Sequence, residues 1–514
     1  MQVDNLSLTM HQGRNLVKNL SFHLNKGDRL AIIGDEGNGK STLIKAIYEP
    51  SLIEDYCLLE GNINRFNQRI GYLPQFLDEK YLKMTVYDFL TGTIQKRQEY
   101  EKLGDVFEQL SILNLDPKII DNNQKMETLS GGEKIKVQLA KLLVEEYDIL
   151  LLDEPSNDID LETLIYLENF IINAPCSIIF ISHDETLLKK CATRILHLRM
   201  LKKKSESNYR LENMGYEEYV LNFEKQYVNQ LNKAIYERKV KKEKEEVLRK
   251  LHSKVEHQLN QAVRNPTQGR LLAKKMKVIT GQEKKLEKQE LTEIPLLEEA
   301  INVSFSNGNI GVHSSFRVLE LNDYTLKIDN KILASNINLT IIGNQKVGFI
   351  GKNGVGKTTL LRVIKDEISS KDLKVGYLPQ NYLEELDPSL TCVEYLQSNT
   401  GYDKENLTRI MNYLGALNFK SEEMLSKITY LSGGQKCKLC LVRILLENND
   451  VLLLDEPTRN LSPLSLPQIR NLFASFNGVI IAISHDRMFL KEVMDIIYEL
   501  KSDGLIEVNK ESLN

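Results

Sequence analysis

The chain has 514 residues, 42% of them hydrophobic and 27% charged, with a formal net charge of −4. That length and apolar share suit two to four ordinary buried cores and exclude a disordered chain. No apolar run approaches the ~18 residues of a membrane span, and MQVDNLSLTM lacks the regions of a signal peptide, so a cytoplasmic protein with no membrane partner is expected. The six cysteines, Cys57, Cys176, Cys191, Cys392, Cys437 and Cys440, are scattered, which excludes a disulfide framework and fits a reducing compartment. Cys437 and Cys440 form a CxxC without a second pair, in a helix-like stretch, so packing is their expected role.

The first legible element is the apolar strand LAII, followed by GDEGNGKS and a helix-like stretch. A strand, a GxxxxGK[ST] loop and a helix in that order is the context of a phosphate-binding loop. The loop, Gly34, Asp35, Glu36, Gly37, Asn38, Gly39, Lys40, Ser41 and Thr42, is expected to wrap backbone N–H groups around phosphates at a helix N-terminus. Lys40 would reach the β/γ-phosphates and Ser41 would hold Mg²⁺. GYLPQ follows, ending at Gln75, then LSGGE with Ser130, Gly131 and Gly132. ILLLDE reads as a buried strand whose apolar run ends in two carboxylates. Asp153 suits a metal held through water, and Glu154 suits polarisation of an attacking water. ISHD then supplies His183.

The middle of the chain changes character. From Leu201 to Glu290 there are 22 Lys+Arg against 13 Asp+Glu, so the basic charge is concentrated here and the remainder is acidic. Tyr216, Tyr219, Phe223, Tyr227, Leu231 and Ile235 recur at helical spacing, and Leu248, Leu251, Val255, Leu259 and Ala262 resume the stripe. One helix of about 45 residues, ~70 Å long, is the simplest reading. After the turn signals of RNPTQG, Leu272, Met276, Ile279 and Leu286 suggest a shorter return, which makes an antiparallel helical hairpin held by its own apolar stripe.

The first set of motifs then recurs. VGFI precedes GKNGVGKT, giving Gly351, Lys352, Asn353, Gly354, Val355, Gly356, Lys357, Thr358 and Thr359, and GYLPQ returns with Gln380. LSGGQ brings Ser432, Gly433 and Gly434, LLLDEP brings Asp455 and Glu456, and ISHD brings His485, each 302 residues after its first occurrence. Five motifs repeated in order mean two copies of one α/β nucleotide-binding domain. Their expected bounds are 1–199 and 298–514, with a helical linker at 200–297.

These residues resemble the ATP-binding cassette family, and the resemblance covers most of the chain outside the linker. It implies ATPase activity with ATP and Mg²⁺, and two cassettes facing head to tail, so that Ser130–Gly132 and Ser432–Gly434 each meet the nucleotide on the other copy. It further implies catalytic roles for Glu154, Glu456, His183, His485, Gln75 and Gln380, and metal contacts from Ser41, Thr358, Asp153, Asp455, Gln75 and Gln380. Three departures stand out. Met10 and Lys327 occupy the place where an aromatic often stacks on adenine. Asp35 and Glu36 put negative charge inside the first phosphate loop. SNDID in copy one, with Asp160, differs from TRNLS in copy two, with Ser462, which predicts unequal hydrolysis at the two sites.

At the far end of the expected hairpin lie Arg249, Lys250, Lys254, Arg264, Arg270, Lys274, Lys275 and Lys277, with Glu256 as the one acid among them. A charge run is usually a solvated face, but a cationic hairpin end on an otherwise acidic protein suits phosphate-rich RNA. Together with the tandem cassettes this resembles the ABC-F proteins, whose linker enters the ribosomal tRNA exit site. The resemblance implies 23S rRNA and P-site tRNA as partners of a monomer with intramolecular cassette pairing. Copy one has 53 residues between Gln75 and Leu129 against 50 in copy two, so it lacks a sizeable arm insertion, and DEPTRNLSPLS looks like the antibiotic-resistance branch. That branch implies protection of translation from lincosamides, pleuromutilins and streptogramin A. The alternatives are a housekeeping ABC-F translation factor and the ATPase subunit of a membrane transporter.

Overall fold

The computed structural model describes residues 1–92, 99–116, 118–121, 124–157, 159–201, 206–261, 266–287, 305, 313, 315–328 and 331–513. By contacts the chain divides into two compact units: Met1–Tyr216 together with Glu298–Asn514, which holds both cassettes, and Glu217–Leu297.

Among the described residues the first cassette contributes nine strands: β1 (Gln2–Met10), β2 (Asn15–His23), β3 (Arg29–Ile33), β4 (Cys57–Asn64), β5 (Ile70–Leu73), β6 (Ile149–Asp153), β7 (Ser177–Ile181), β8 (Arg194–Leu201) and β9 (Glu206–Glu212). β2-β1-β4 form an antiparallel sheet, and β5-β6-β7-β3-β8-β9 form a six-stranded sheet that is parallel except for β9, which carries it past residue 199. The second cassette has β10 (Arg317–Ile328), β11 (Lys331–Ile342), β12 (Lys346–Ile350), β13 (Val375–Leu378), β14 (Val451–Asp455), β15 (Val479–Ile483), β16 (Ile496–Lys501) and β17 (Gly504–Glu507). Its main sheet repeats the order as β13-β14-β15-β12-β16-β17.

The apolar runs explain this order. ILLLD in β6 and SIIFI in β7 are buried at every position. Strands covered on both faces belong at the centre of a parallel sheet, with crossover helices on either side. Each buried Leu or Ile contributes about 1.5–3 kcal/mol. The consequence for function is positional. In a parallel sheet the carboxyl ends of β3, β6 and β7 lie along one edge, so the loops that follow them meet there.

The helix Lys40–Tyr48 shows how one of those loops is anchored. Leu43, Ile44, Ala46 and Ile47 form its buried face, and it stops at Glu49, extended because Pro50 follows. In copy two, Cys437 and Cys440 lie in the helix Gly433–Leu446 within the apolar core, where burial pushes both thiols up. Packing accounts for them.

The second unit is built on two helices, Tyr216–Gln261 of 46 residues and Pro266–Glu287 of 22. Leu248, Val255, Leu272 and Ile279 form their shared core, with Leu259, Met276 and Leu286 packed against it, and His252 Nδ1 lies 3.1 Å from Glu283 Oε1. Two expectations need correction. The return helix begins at Pro266, so the proline of RNPTQG opens a helix, where its missing N–H leaves nothing unpaired. Ile235 and Leu251 are exposed while Ala234 is fully buried, because the stripe shifts by one residue along so long a helix. Arg249, Lys250, Lys254, Arg270, Lys274, Lys275 and Lys277 are all exposed; Arg264 and Ala262 lie outside the described residues. Among the described residues no helix is long and apolar enough to cross a membrane.

Candidate functional site

The loop after β3 is shaped by glycine. Gly34 has φ +137°, and a Cβ there would sit 2.2 Å from the Leu198 carbonyl oxygen on β8. Gly39, at φ 89°, turns the chain into the helix Lys40–Tyr48. Lys40 is buried, and its ammonium donates to the carbonyls of Gly34 at 2.7 Å and Asp35 at 3.2 Å. Ser41 Oγ donates to Asp153 Oδ1 at 2.9 Å, while Asp153 Oδ2 is buried without a partner. Burial, then the neighbouring Glu154, pushes Asp153 up to about 6.

Glu154 adopts a left-handed backbone, φ 54°, and Glu456 has the same value. A non-glycine residue there is strained by about 1–3 kcal/mol, and the same strain at both counterparts marks a constraint on where the carboxylate points. In copy one Glu154 Oε1 lies 2.9 Å from His183 Nε2. Burial would raise Glu154, but the facing imidazole outweighs it and holds the carboxyl low.

Copy two repeats the frame with the histidine and glutamate farther apart. Lys357 donates to the carbonyls of Gly351 at 2.7 Å and Lys352 at 3.1 Å, and Thr358 Oγ1 donates to Asp455 Oδ2 at 2.9 Å. Here His485 Nε2 stands 3.8 Å from Glu456 Oε1. Burial, then Lys357, pushes His485 down to about 3 against the pull of Asp160. Burial, then Asp455, pushes Glu456 up to about 8 against the pull of Lys357. The two sites therefore differ in the one pair that would handle a proton.

The cassettes meet around these loops. Ser130 and Ser432 cap the helices Gly131–Val144 and Gly433–Leu446 through capping boxes with Glu133 and Gln435. The Gly434 backbone N–H donates to Glu36 Oε2, so the acid of the first phosphate loop rests on the N-terminus of the second copy's LSGGQ helix. A cavity of about 220 Å³ beside it is lined by Lys40, Ser41, Gln75, Glu154 and His183 with Asn460 from the second copy. The other junction is looser. Lys352 Nζ is 4.0 Å from Glu162, and Asp160 joins Gly351, Lys352 and His485 around a cavity of about 230 Å³. Lys352, Asn353 and Gly354 are exposed, as are Ser130 and Gly131, whereas Ser432 and Gly433 are half-buried. Gln380 is exposed beyond the end of β13.

Asp160 and Ser462 also part company. Asp160 caps the helix Leu161–Asn173 and pairs with Lys136 at 2.6 Å, while the Ser462 hydroxyl is buried without a partner. Asn460, with φ 61°, was not legible as a site residue, because only the cassette pairing brings it over the first copy's loop.

Comparison with known proteins agrees with this geometry. The ABC transporter family model matches residues 17–157 and 334–459. The chain belongs to the ABC transporter family. Among its relatives, the ATP-binding protein Uup of Buchnera aphidicola (strain APS) is 29% identical over 527 residues, covering 99% of this chain and 82% of that protein. Uup of Escherichia coli (strain K12) is 27% identical, covering 96% and 79%. ABC transporter F family member 2 of Arabidopsis thaliana is 25% identical, covering 99% and 77%. The solved archaeal ribosome recycling factor aABCE1, in complex with stalk protein aP1, shares the fold at TM-score 0.60 and 16% identity, covering 98% of this chain and 90% of that one. This ABC protein is thus a two-cassette, ABC-F-like ATPase that uses ATP with Mg²⁺.

Proposed function

We propose that the chain is a ribosome-binding ATPase whose two cassettes, about 1–199 and 298–514, bind two ATP molecules and whose linker, about 200–297, contacts RNA. The observation that carries the reading is the joint presence of paired phosphate loops and seven exposed cations along one helical hairpin. Structures sharing its fold include a ribosome recycling factor and a model of ribosome-bound archaeal Pelota and ABCE1, the latter at TM-score 0.56.

In each site Lys40 or Lys357 and the helix N-terminus behind it offset phosphate charge. Ser41 with Asp153, and Thr358 with Asp455, would hold Mg²⁺, and the unpartnered Asp153 Oδ2 fits that use. Bound Mg²⁺ would neutralise charge on the β- and γ-phosphate oxygens. Glu154, kept ionised by His183, takes a proton from the attacking water; Glu456 does so less readily at neutral pH. Gln75 lines the first cavity. Gly433 and Gly434 close over ATP held by the first copy, and Gly131 and Gly132 over ATP held by the second.

The finer proposal is that the ATP-bound form enters the tRNA exit site, touches 23S rRNA and P-site tRNA, and relieves inhibition by peptidyl-transferase-centre antibiotics, with hydrolysis releasing it. DEPTRNLSPLS supports it. A second reading, a housekeeping translation factor without resistance activity, is equally consistent with the similarity to Uup and to the plant F family member. The chain carrying Glu154→Gln and Glu456→Gln should co-sediment with ribosomes when ATP is present. No co-sedimentation under any nucleotide would refute the ribosome reading. Expression in a drug-sensitive host separates the two versions, since only the first raises tolerance.

A further inference from the structure

Away from the phosphate loops, the two cassettes touch through charged side chains that are almost completely buried. Arg487, 1% exposed, donates to Glu168, 3% exposed, and also lies 3.5 Å from Asp184. Arg470 Nη1 lies 2.9 Å from Glu185, at ion-pair distance though poorly aligned for a hydrogen bond; their side chains are 5% and 4% exposed. Two half-exposed residues flank these pairs. Lys190 is 2.9 Å from Glu168 within the first cassette, and Glu492 is 2.6 Å from Arg470 within the second.

The sequence repeat gives these contacts a meaning that neither copy has alone. From the LLLDEP motifs through ISHD to the starts of β8 and β16, at Arg194 and Ile496, the copies have equal length, so counterparts lie 302 residues apart. By that offset Glu168 corresponds to Arg470, Glu185 to Arg487, and Lys190 to Glu492. All three positions reverse sign between the copies. The contacts are also related by exchange: Glu168 meets Arg487, and Glu185 meets Arg470. Had both copies carried the residues of the first, each junction would bury two acids; with the residues of the second, it would bury two arginines. A buried charge without its partner is strongly destabilising, and two like charges are worse.

We propose that Glu168, Glu185 and Lys190 facing Arg470, Arg487 and Glu492 form a charge-inverted pairing surface that makes the first cassette accept only a second-cassette face. Head-to-tail pairing is thereby directed within one chain, and each cassette is prevented from pairing with its own kind. The surface also couples the sites. Glu185 and Arg487 each stand two residues beyond a site histidine, His183 or His485, so each histidine turn is tied to a helix of the opposite cassette. Asp184 and Asp486, which do not change sign, cap the short helices that carry these residues.

The test uses the full chain without ribosomes, so it stands or falls separately from the proposed function. Variant one, E168R/E185R/K190E, gives both copies the charges of the second; variant two, R470E/R487E/E492K, gives both the charges of the first. Each alone should lose at least tenfold in ATPase rate. Mixed in equal amounts, they should recover activity as a dimer, seen by light scattering, because each supplies the face the other lacks. The six-position exchange should restore a monomer with ATPase within about threefold of the parent. Full activity in either three-position variant would overturn the proposal, as would a folded exchange variant no more active than they are. Should the exchange variant fail to fold, E185Q, R470Q and their combination decide. Single losses that do not accumulate in the double support the pairing, and losses that multiply overturn it.

Discussion

Replacing Glu36 by Gln tests whether an internal carboxylate competes with ATP at the first site. The Glu36 side chain accepts the Gly434 N–H at the N-terminus of a 14-residue helix, where the backbone dipole favours negative charge. A hydrogen bond to a charged group contributes about 1.5–3 kcal/mol, and the site is half-buried, so about 1–2 kcal/mol is a fair share to assign. An incoming triphosphate must displace this carboxylate and also feel its repulsion. Glu36→Gln keeps the shape and removes both penalties, which corresponds to roughly 5–30-fold tighter binding at one of the two sites. Isothermal titration with ATP and Mg²⁺, in the Glu154→Gln, Glu456→Gln background that blocks turnover, resolves the two sites. The counterpart residue in copy two is the neutral Asn353, so only the first site should tighten. Without nucleotide the same variant should melt about 2–4 °C lower, since the charged hydrogen bond that ties the first loop to the second cassette becomes a weaker neutral one. Glu36→Asp, charged but one methylene shorter, should not tighten binding as the Gln variant does. Unchanged or weaker ATP binding by the Gln variant would refute the competition.

Gly34→Ala should abolish nucleotide binding to the first site while leaving the second intact, because its Cβ meets the Leu198 carbonyl and its φ is unfavourable to a side chain; wild-type affinity at both sites would contradict the geometry. Burial, opposed by Arg470 and reinforced by Asp486, pushes Glu185 up to about 7, above its ordinary value of ~4.5. Between pH ~4.5 and 7 the folded protein therefore holds a proton that the unfolded chain releases, and above that range Glu185 is ionised and meets Arg470 as a charge. That stability is full below pH ~4.5 and is lost as pH rises through 7, so wild type minus Glu185→Gln in urea-unfolding free energy should fall by about 2–3 kcal/mol between pH 5 and 8. A pH-independent difference would exclude it. Reversing Lys254, Arg270, Lys274 and Lys275 to Glu should weaken ribosome co-sedimentation at least tenfold and flatten its salt dependence, by about 0.7–0.9 in log–log slope for each phosphate left without its cation. An unaltered slope would mean that these cations do not meet phosphate.

Much of the frame is legible along the chain. The apolar runs LAII and ILLLD, punctuated by glycine and ended by acid, dictate buried parallel strands whose loops share one edge, and their recurrence dictates two such edges. Those signals are local: a strand, a turn and a helix start lie within about ten residues, and backbone sterics with side-chain periodicity decide each of them. The long stripe was harder to read, since a one-residue slip along 46 residues is enough to bury Ala234 in place of Ile235.

What the sequence by itself determined is the inventory at each nucleotide site: Lys40, Ser41, Asp153 and Glu154, and their repeat at Lys357, Thr358, Asp455 and Glu456. Only the tertiary structure decided that Glu36 reaches Gly434, that Asn460 overhangs the first loop, that His183 closes on Glu154 while His485 stands back from Glu456, and that four buried charges, Glu168 with Arg487 and Glu185 with Arg470, pair between the cassettes. Those facts join residues some 30 to 400 positions apart. Their energies depend on burial and on distances of a few ångströms, quantities that come into being only once the two sheets have been packed into one body.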